Sequence, residues 1–231
     1  MQIPVIHADR HLVIVNKPSG LDVHGRSPED PDTLVALVAR QLRLSPRRLH
    51  PASRLDKPVT GILPLARSKI GRKSLTEQYQ RREIKRTYVA LTLGLPDPAQ
   101  GSWDQPIGPG RRGRRQALSP GAPNAVPACT SYQVTQSWPN GVSLVVLRPA
   151  TGRTHQLRVH LSQVGGCPIL GDRRYGGPPT LTLPSGEVVA LSRVMLHAAA
   201  LRLTHPESGQ EMYLEAPHWP DFQGLLDRFS S

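Results

Sequence analysis

Asp56 is the carboxylate whose neighbours suggest chemistry. It lies between Arg54 and Lys57, ahead of an apolar run that begins at Ile62. Neighbouring cations favour the ionised form of an aspartate, and an ionised carboxylate at the end of a buried strand can act as a nucleophile or stabilise positive charge. A surface ion pair would have the same local sequence. Residues 50–65 are therefore the first candidate site.

A second group of polar residues follows a predicted strand. Residues 151–161 read TGRTHQLRVHL, with Thr154 as a candidate helix cap and two glycines at 165 and 166 as a candidate end. This pattern predicts a helix. The histidines suggest a metal or acid–base cluster, but they are spread over a predicted turn, helix and strand, which favours hydrogen-bonded scaffold roles and no metal site. They are His155, His160 and His197.

The composition favours a nucleic-acid partner. The 231 residues include 29 Lys and Arg against 17 Asp and Glu, a formal charge of +12, and such an excess attracts polyanions. Only 4% of the residues are aromatic, which argues against a broad stacking platform for single strands. Two distant cysteines indicate neither a zinc site nor a disulfide framework. No leader or membrane-spanning run is present, so we expect a cytoplasmic protein.

The elements that must position these residues follow from hydrophobic periodicity and turn residues. Helices are predicted from about Leu34, with Asp32 or Thr33 as cap, and from Ser68 to about Arg82. The end of the chain is predicted to be a short amphipathic helix or coil. Pro64 argues against a central position for its strand. The predicted strands cover residues 3–6, 12–15, 62–66, 84–93, 129–136, 142–148, 194–203 and 212–215.

Two segments are predicted to be irregular. Residues 94–128 are rich in proline and glycine and contain the arginine run 111–115, which predicts a long, mobile, basic insertion that contacts nucleic acid. Residues 178–192 are predicted to be another flexible connection. No linker divides the chain convincingly, so a single catalytic domain over 1–231 is the working prediction.

Six motifs, in order across residues 3–217, resemble the RluA-type RNA pseudouridine synthases. The resemblance implies an α+β fold with a mixed, largely antiparallel sheet, with helices and loops flanking a basic active-site cleft. It also implies that uridine in ribosomal RNA, transfer RNA or both is isomerised without cofactor or metal. The family's amino-terminal RNA-binding domain is expected to be absent, and we expect a monomer. The motifs are NKPSGL from Asn16, RLD from Arg54, KRTY from Lys85, TGRTHQLRVHL from Thr151, PILGD from Pro168 and LHA from Leu196.

The resemblance also assigns roles. Asp56 matches the catalytic aspartate, Tyr88 the tyrosine that packs on the uracil, and Arg158 the basic residue that pairs with the aspartate. Arg54 matches an arginine that displaces and holds the target nucleotide. Substrate-binding roles are predicted for that arginine and for Lys17, Arg153 and His155.

The chain departs from the family pattern at two places. Ser53 replaces the usual histidine before Arg-Leu-Asp, and Val59-Thr60-Gly61 replaces Thr-Ser-Gly. Ser53 and Thr60 keep a hydrogen-bonding group, so we expect the backbone turn to be preserved.

Two other classes of function compete with the enzyme. An RNA-binding assembly factor that has lost catalysis would keep the basic surface but has no need of Asp56, Tyr88 and Arg158 together. A glycoside hydrolase would need a second carboxylate beside Asp56, and the local sequence offers none.

Overall fold

A computed structural model describes residues 1–25, 27 and 30–229. The helices are α1 (Leu34–Gln41), α2 (Lys69–Gln80), α3 (Gln156–Val159) and α4 (Pro220–Phe229), and a π-helical turn over His160–Val164 continues α3. The strands are β1 (Val5–Ala8), β2 (Leu12–Lys17), β3 (His50–Pro51), β4 (Thr60–Ala66), β5 (Lys85–Leu93), β6 (Gln100–Trp103), β7 (Ile107–Pro109), β8 (Arg115–Ala117), β9 (Thr130–Ser137), β10 (Val142–Pro149), β11 (Thr180–Thr182), β12 (Val188–Ala190), β13 (Leu196–Thr204) and β14 (Glu211–Glu215).

The described residues form two compact units, one drawn from the described part of 1–86 and from 198–219, and the other from 87–197 and 220–229. We call them unit 1 and unit 2. Each combines helices with antiparallel strand pairs, which confirms the predicted α+β class with a largely antiparallel sheet. The single catalytic domain remains a prediction. None of the helices among the described residues has the length and hydropathy of a membrane-spanning segment.

Unit 1 is built on the strand order β1, β2, β4, β13, with β3 against β4 and β14 against β13. Although Pro64 argues against a central position, β4 has neighbours on both sides, and Pro64 lies opposite Ile14. Pro64 removes one backbone donor from a strand that is buried along its whole length. Both predicted helices are present, capped by Thr33 and Ser68, which accept hydrogen bonds from Ala36 N and Gly71 N.

Unit 2 contains the strand order β5, β10, β9, β6. The predicted turn at Pro139-Asn140-Gly141 joins β9 to β10, with Gly141 at a φ of +78° that disfavours other residues. The predicted helix after Thr151 is present as α3 and its π-helical continuation, but His155 rather than Thr154 occupies the N-cap position, and its side chain makes no capping hydrogen bond. The carboxyl-terminal helix is α4, which buries Phe222, Leu225 and Phe229.

The segment 94–128 differs from the predicted irregular loop. It contains β6, which pairs with β9, and a hairpin of β7 and β8. Ile107 and Ala128 from this segment are buried with Val159 and Tyr175 in one apolar cluster. These partners lie far along the chain, and their burial supplies the stability that the local sequence lacks. Residues 178–192 likewise form a β11–β12 hairpin rather than only a loop.

Both cysteines are free thiols. Cys129 is half-buried and Cys167 is buried. Burial raises the pKa of the Cys167 thiol to about 12, so this group stays protonated at neutral pH.

Candidate active site

Asp56 lies in a tight turn that leads into β4. The amide of Val59 donates to the backbone carbonyl of Asp56 at 3.0 Å and closes the turn. Leu55 and Val59 are buried, whereas Asp56 itself is half-buried and Arg54 is exposed. The apolar neighbours therefore anchor the turn, while Arg54 is exposed to solvent and Asp56 is partly so.

The buried side chain of Lys17 supports this turn. Its side chain is fully buried, and its ammonium donates to the carbonyls of Pro18, Leu21 and Lys57 at 2.8, 2.9 and 3.1 Å. A buried cation must be compensated, and backbone carbonyls supply that compensation here. The amide of Gly20, at a φ of +84°, also donates to the carbonyl of Lys57 at 2.9 Å. The segment from Lys17 to Leu21 is thus tied to the residue next to Asp56.

Substrate contact by Lys17 stays a prediction, and the burial of its side chain favours a positioning role instead. An ammonium that is fully buried and donates to three carbonyls is poorly placed to reach a phosphate. The sequence could not distinguish the two roles, because a lysine at the end of a strand is exposed more often than buried. The observed contacts favour a positioning role for Lys17.

We expect Lys17→Met to lower the free energy of unfolding by about 2–4 kcal/mol, because the substitution leaves buried carbonyls without a donor. Chemical denaturation measures the change. Lys57→Met is the matched control, since the Lys57 side chain is 59% exposed and its ammonium lies 3.1 Å from Asp22. Equal stability of the two variants would contradict a supporting role for the buried ammonium.

Ser53, one of the departures from the family pattern, has a partner within unit 1. Its hydroxyl shares a 2.7 Å hydrogen bond with the hydroxyl of Tyr79 on α2. The guanidinium carbon of Arg86 lies 5.7 Å from the centre of the Tyr79 ring. The segment before Asp56 is therefore tethered to α2, as expected from the hydrogen-bonding group that Ser53 retains.

Tyr88 lies on β5 in unit 2 and pairs with Leu147 of β10. Its side chain is 8% exposed. A tyrosine on a buried strand is a rigid group, since the sheet fixes its backbone and its neighbours restrict its rotamer. The predicted contact with uracil is not tested by this placement and stays a prediction.

Gln156 organises the turn that precedes α3. Its amide oxygen accepts from the Thr151 hydroxyl and the Arg153 amide, at 2.8 and 2.9 Å. Its amide nitrogen donates to the Cys129 carbonyl and the Thr130 hydroxyl, at 2.9 and 3.0 Å. This buried side chain therefore fixes the start of α3 against β9. The prediction assigned no role to Gln156, although amides with four satisfied bonds are characteristic of rigid sites.

Arg158 lies on α3 and forms a buried pair with Asp172. Nε donates to Oδ2 at 2.7 Å and Nη2 donates to Oδ1 at 2.8 Å. The guanidinium carbon lies 5.0 Å from the centre of the Tyr175 ring. Asp172 is 1% exposed, so its carboxylate is buried as well. Its partner lies 14 residues earlier, beyond the range of local patterns.

The two residues predicted to bind substrate beside Arg158 differ in exposure. Arg153 is exposed and its Nε donates to the Pro127 carbonyl at 2.9 Å. His155 is half-buried, has a left-handed φ of 59°, and shares a 2.7 Å hydrogen bond between Nδ1 and the Tyr175 hydroxyl. Non-glycine residues in this conformation concentrate at functional sites. Both remain predictions as substrate contacts.

His160 has the scaffold role expected for it. Its ring nitrogens lie 3.0 Å from the Thr130 hydroxyl and 3.0 Å from the Gln105 carbonyl, and Trp103 packs against its edge. Burial lowers the pKa of His160, so the neutral ring is favoured. Within residues 1–25, 27 and 30–229, no group of three or more His, Cys, Asp or Glu side chains could hold a metal ion.

Comparison with known proteins identifies the class of enzyme. A model of the RNA pseudouridylate synthase family matches residues 11–163. The dual-specificity RNA pseudouridine synthase RluA of Escherichia coli K12 is 36% identical over 217 residues, which cover 92% of each chain. The ribosomal large subunit pseudouridine synthase D of Nitrosomonas europaea is 39% identical over 231 residues, covering 97% of this chain and 64% of its own length.

Solved structures agree with these sequence matches. Human RNA pseudouridylate synthase domain containing 4 superposes with a TM-score of 0.76 at 31% identity, covering 98% of this chain and 93% of that one. Human RNA pseudouridylate synthase domain containing 1 gives a TM-score of 0.74 at 26% identity. The fold and the matched motifs define an isomerase that modifies RNA. The chain belongs to the RNA pseudouridylate synthase family.

Proposed function

We propose that this enzyme converts uridines of ribosomal RNA, transfer RNA or both to pseudouridine. The observation that carries this proposal is the 36% identity, over 92% of both chains, to a synthase named for dual specificity. The Nitrosomonas europaea relative, named for the large ribosomal subunit, supports ribosomal RNA as one target. We further propose a cytoplasmic monomer. Light scattering on the purified protein tests the oligomeric state.

Asp56 is the proposed catalytic group. Isomerisation breaks the bond between C1′ and N1, turns the uracil and joins C5 to C1′; the proton on C5 is then lost and N1 gains a proton, so the overall composition is unchanged. A carboxylate near C1′ can attack the sugar or remove a sugar proton to give a glycal, and both routes need the ionised form. The half-buried turn that holds Asp56, with exposed Arg54 two residues before it, supports this assignment.

Arg158 is the proposed partner of the Asp56 carboxylate. A guanidinium pairs with a carboxylate through two parallel hydrogen bonds, which favours ionisation and fixes the direction of the oxygens. Its own rigid setting supports this role, because Arg158 is 5% exposed and is held by Asp172.

The target nucleotide is proposed to leave its stack before reaction. Extrusion of a base costs a few kcal/mol, and a side chain that fills the gap offsets part of this cost. Arg54 is the candidate for that role, since it is exposed next to Asp56 in sequence. Tyr88 is proposed to pack on the uracil while it turns, and Arg153 and His155 to contact the RNA. Lys17 is assigned to positioning.

Mapping of pseudouridine in total RNA tests the proposal. RNA from cells with and without the gene is treated with carbodiimide and reverse-transcribed, and stops that require the gene identify its targets. Restoration by the intact gene but not by an Asp56→Asn copy supports the enzyme. An unchanged stop pattern, together with measurable RNA binding by the purified protein, would favour the RNA-binding assembly factor instead.

The arginine hairpin, defined here as residues 110–115, is the proposed contact with the RNA backbone. Arg111, Arg112 and Arg114 are exposed, and no carboxylate among the described residues pairs with them. Replacing all three by glutamine should weaken RNA binding on the order of 10-fold at physiological salt. The slope of log K against the logarithm of the salt concentration should become less steep by about 2. Turnover at saturating RNA should stay nearly intact. Filter binding across a salt series measures the slope.

The matched control replaces three other exposed arginines. Arg10, Arg202 and Arg228 lie 3.9, 3.5 and 3.2 Å from Glu207, Glu211 and Glu187, so their charges are already compensated. The control has the same net charge as the hairpin variant. If both variants flatten the salt dependence equally, the effect belongs to total charge and the hairpin has no special role.

A further inference from the structure

The Arg158–Asp172 pair uses only one edge of the guanidinium. Nε and Nη2 face the carboxylate side-on, with distances of 2.7 and 2.8 Å. A guanidinium carries five N–H donors in a fixed plane. One carboxylate can therefore fix the orientation of that plane while the remaining donors bind a second anion. Asp172 therefore orients Arg158 without exhausting its donors.

Tyr175 supports the same guanidinium from one face. Its ring is 5% exposed and lies 5.0 Å from the guanidinium carbon, a distance that gives a favourable cation–π contact. Its hydroxyl accepts from the Arg115 amide at 3.0 Å and shares a 2.7 Å hydrogen bond with Nδ1 of His155. The side chain thus cannot move to another χ1 rotamer without losing the bonds of its hydroxyl to the arginine hairpin and to His155.

Asp172 and Tyr175 belong to one tight turn. The amides of Tyr175 and Gly177 donate to the Asp172 carbonyl at 3.0 and 2.9 Å. Gly171 has a φ of +77°, and a Cβ there would lie 1.9 Å from the Arg193 carbonyl oxygen. A Cβ at Gly177 would lie 1.9 Å from the Ile169 carbonyl oxygen. Close backbone contact on both sides makes the turn rigid. The turn therefore fixes the position of the Asp172 carboxylate relative to the Tyr175 ring.

We propose that Asp172 and Tyr175 are positioning residues for pseudouridine formation, holding the Arg158 guanidinium in the orientation that its pairing with the catalytic carboxylate requires. This inference rests on the proposed roles of Asp56 and Arg158. A misplacement of about 1 Å at a reacting group can cost on the order of 100-fold in rate, so a buried partner that fixes Arg158 has a large effect on turnover.

The test compares two arginine–aspartate pairs with the same bidentate geometry; the Asp221 side chain of the comparison pair is 39% exposed, whereas that of Asp172 is 1% exposed. Arg193 donates from Nε to Oδ2 and from Nη2 to Oδ1 of Asp221, at 2.5 and 2.8 Å, in the same unit. We expect Asp172→Asn to lower the single-turnover rate at saturating RNA about 10- to 100-fold, with the RNA dissociation constant within about 2-fold of wild type. Asp221→Asn should lower the melting temperature and leave that rate unchanged. Rates are measured at a temperature where circular dichroism shows both variants folded.

A second variant keeps the inference testable if Asp172→Asn does not fold. Tyr175→Phe keeps the ring against Arg158 but removes the hydroxyl bonds to His155 and Arg115. We expect a loss of about 3- to 10-fold in the saturating rate. Tyr213→Phe is its control, because the Tyr213 hydroxyl bonds only locally to Glu215 at 2.7 Å and the side chain is 60% exposed.

Nuclear magnetic resonance of the protein alone reports the orientation directly. The Nε–H signal of Arg158 should exchange slowly with water in wild type and rapidly in Asp172→Asn.

If wild type forms product, Asp56→Asn does not, and Asp172→Asn or Tyr175→Phe matches its control in rate, the positioning role is overturned while the proposed function stands. If wild type itself forms no product on any cellular RNA, the proposed function fails and this inference fails with it.

Discussion

Replacing Asp56 with asparagine should abolish pseudouridine formation. Asparagine keeps the size of the side chain and one hydrogen-bond acceptor, but it lacks the negative charge that both chemical routes require. Removal of a group that acts directly on the reacting atoms costs many orders of magnitude, so we expect a loss of at least ~1000-fold in single-turnover rate. Carbodiimide-dependent stops on a target RNA, followed over time, measure the product.

A neighbouring carboxylate provides the control for Asp56→Asn. Asp22 lies 3.1 Å from the Lys57 ammonium, beside the same turn, and its side chain is 57% exposed. Asp22→Asn removes the same charge and should keep the wild-type rate, while both variants should bind RNA as wild type does. If Asp56→Asn formed product at the wild-type rate, Asp56 would have no catalytic role, even though it matches the family motif.

The sequence predicted those parts of the fold whose stability is local. Helix α1 begins after Thr33 and α2 after Ser68, because the hydroxyl of each of these residues accepts a hydrogen bond from an otherwise unpaired amide of the first turn. The β9–β10 hairpin turns at Gly141, where a positive φ is needed. Such choices depend on residues within a few positions of each other, so periodicity and turn residues are sufficient to predict them.

The parts that sequence reasoning missed depend on distant partners. The β7–β8 hairpin is stabilised by burial of Ile107 against Val159 and Tyr175, which lie more than 50 residues away. The β6 strand exists because β9 offers it a pairing edge. Proline, glycine and arginine in this segment indicate a loop, and long-range pairing overrides that local preference.

Within the candidate site, the residue types were predictable and their surroundings were not. The motifs marked Asp56 and Arg158, but neither spacing nor charge pattern showed that Lys17 and Asp172 are buried ions. Burial of a charge depends on compensation by groups from elsewhere in the fold, namely backbone carbonyls for Lys17 and the Arg158 guanidinium for Asp172. A charged residue next to a strand or in a loop is normally solvated, so local patterns favour the wrong environment for both.

Replacing Arg158 separates its contribution to stability from its contribution to chemistry. Arg158→Met keeps the volume of the stem but leaves the Asp172 carboxylate buried without its partner. Removing one member of a buried pair typically destabilises a protein by about 3–5 kcal/mol. We expect both the free energy of unfolding and product formation to fall sharply, and denaturant titration with product mapping measures the two effects.

The double variant Arg158→Met with Asp172→Asn removes both charges and should recover most of the lost stability, because no uncompensated carboxylate remains. Product formation should not recover, since the proposed partner of Asp56 is still missing. The corresponding pair of changes at Arg193 and Asp221, which contains no proposed site residue, should keep the wild-type rate of product formation. A double variant at 158 and 172 that turned over RNA at the wild-type rate would show that the guanidinium serves folding alone, because the chemistry would then proceed without it.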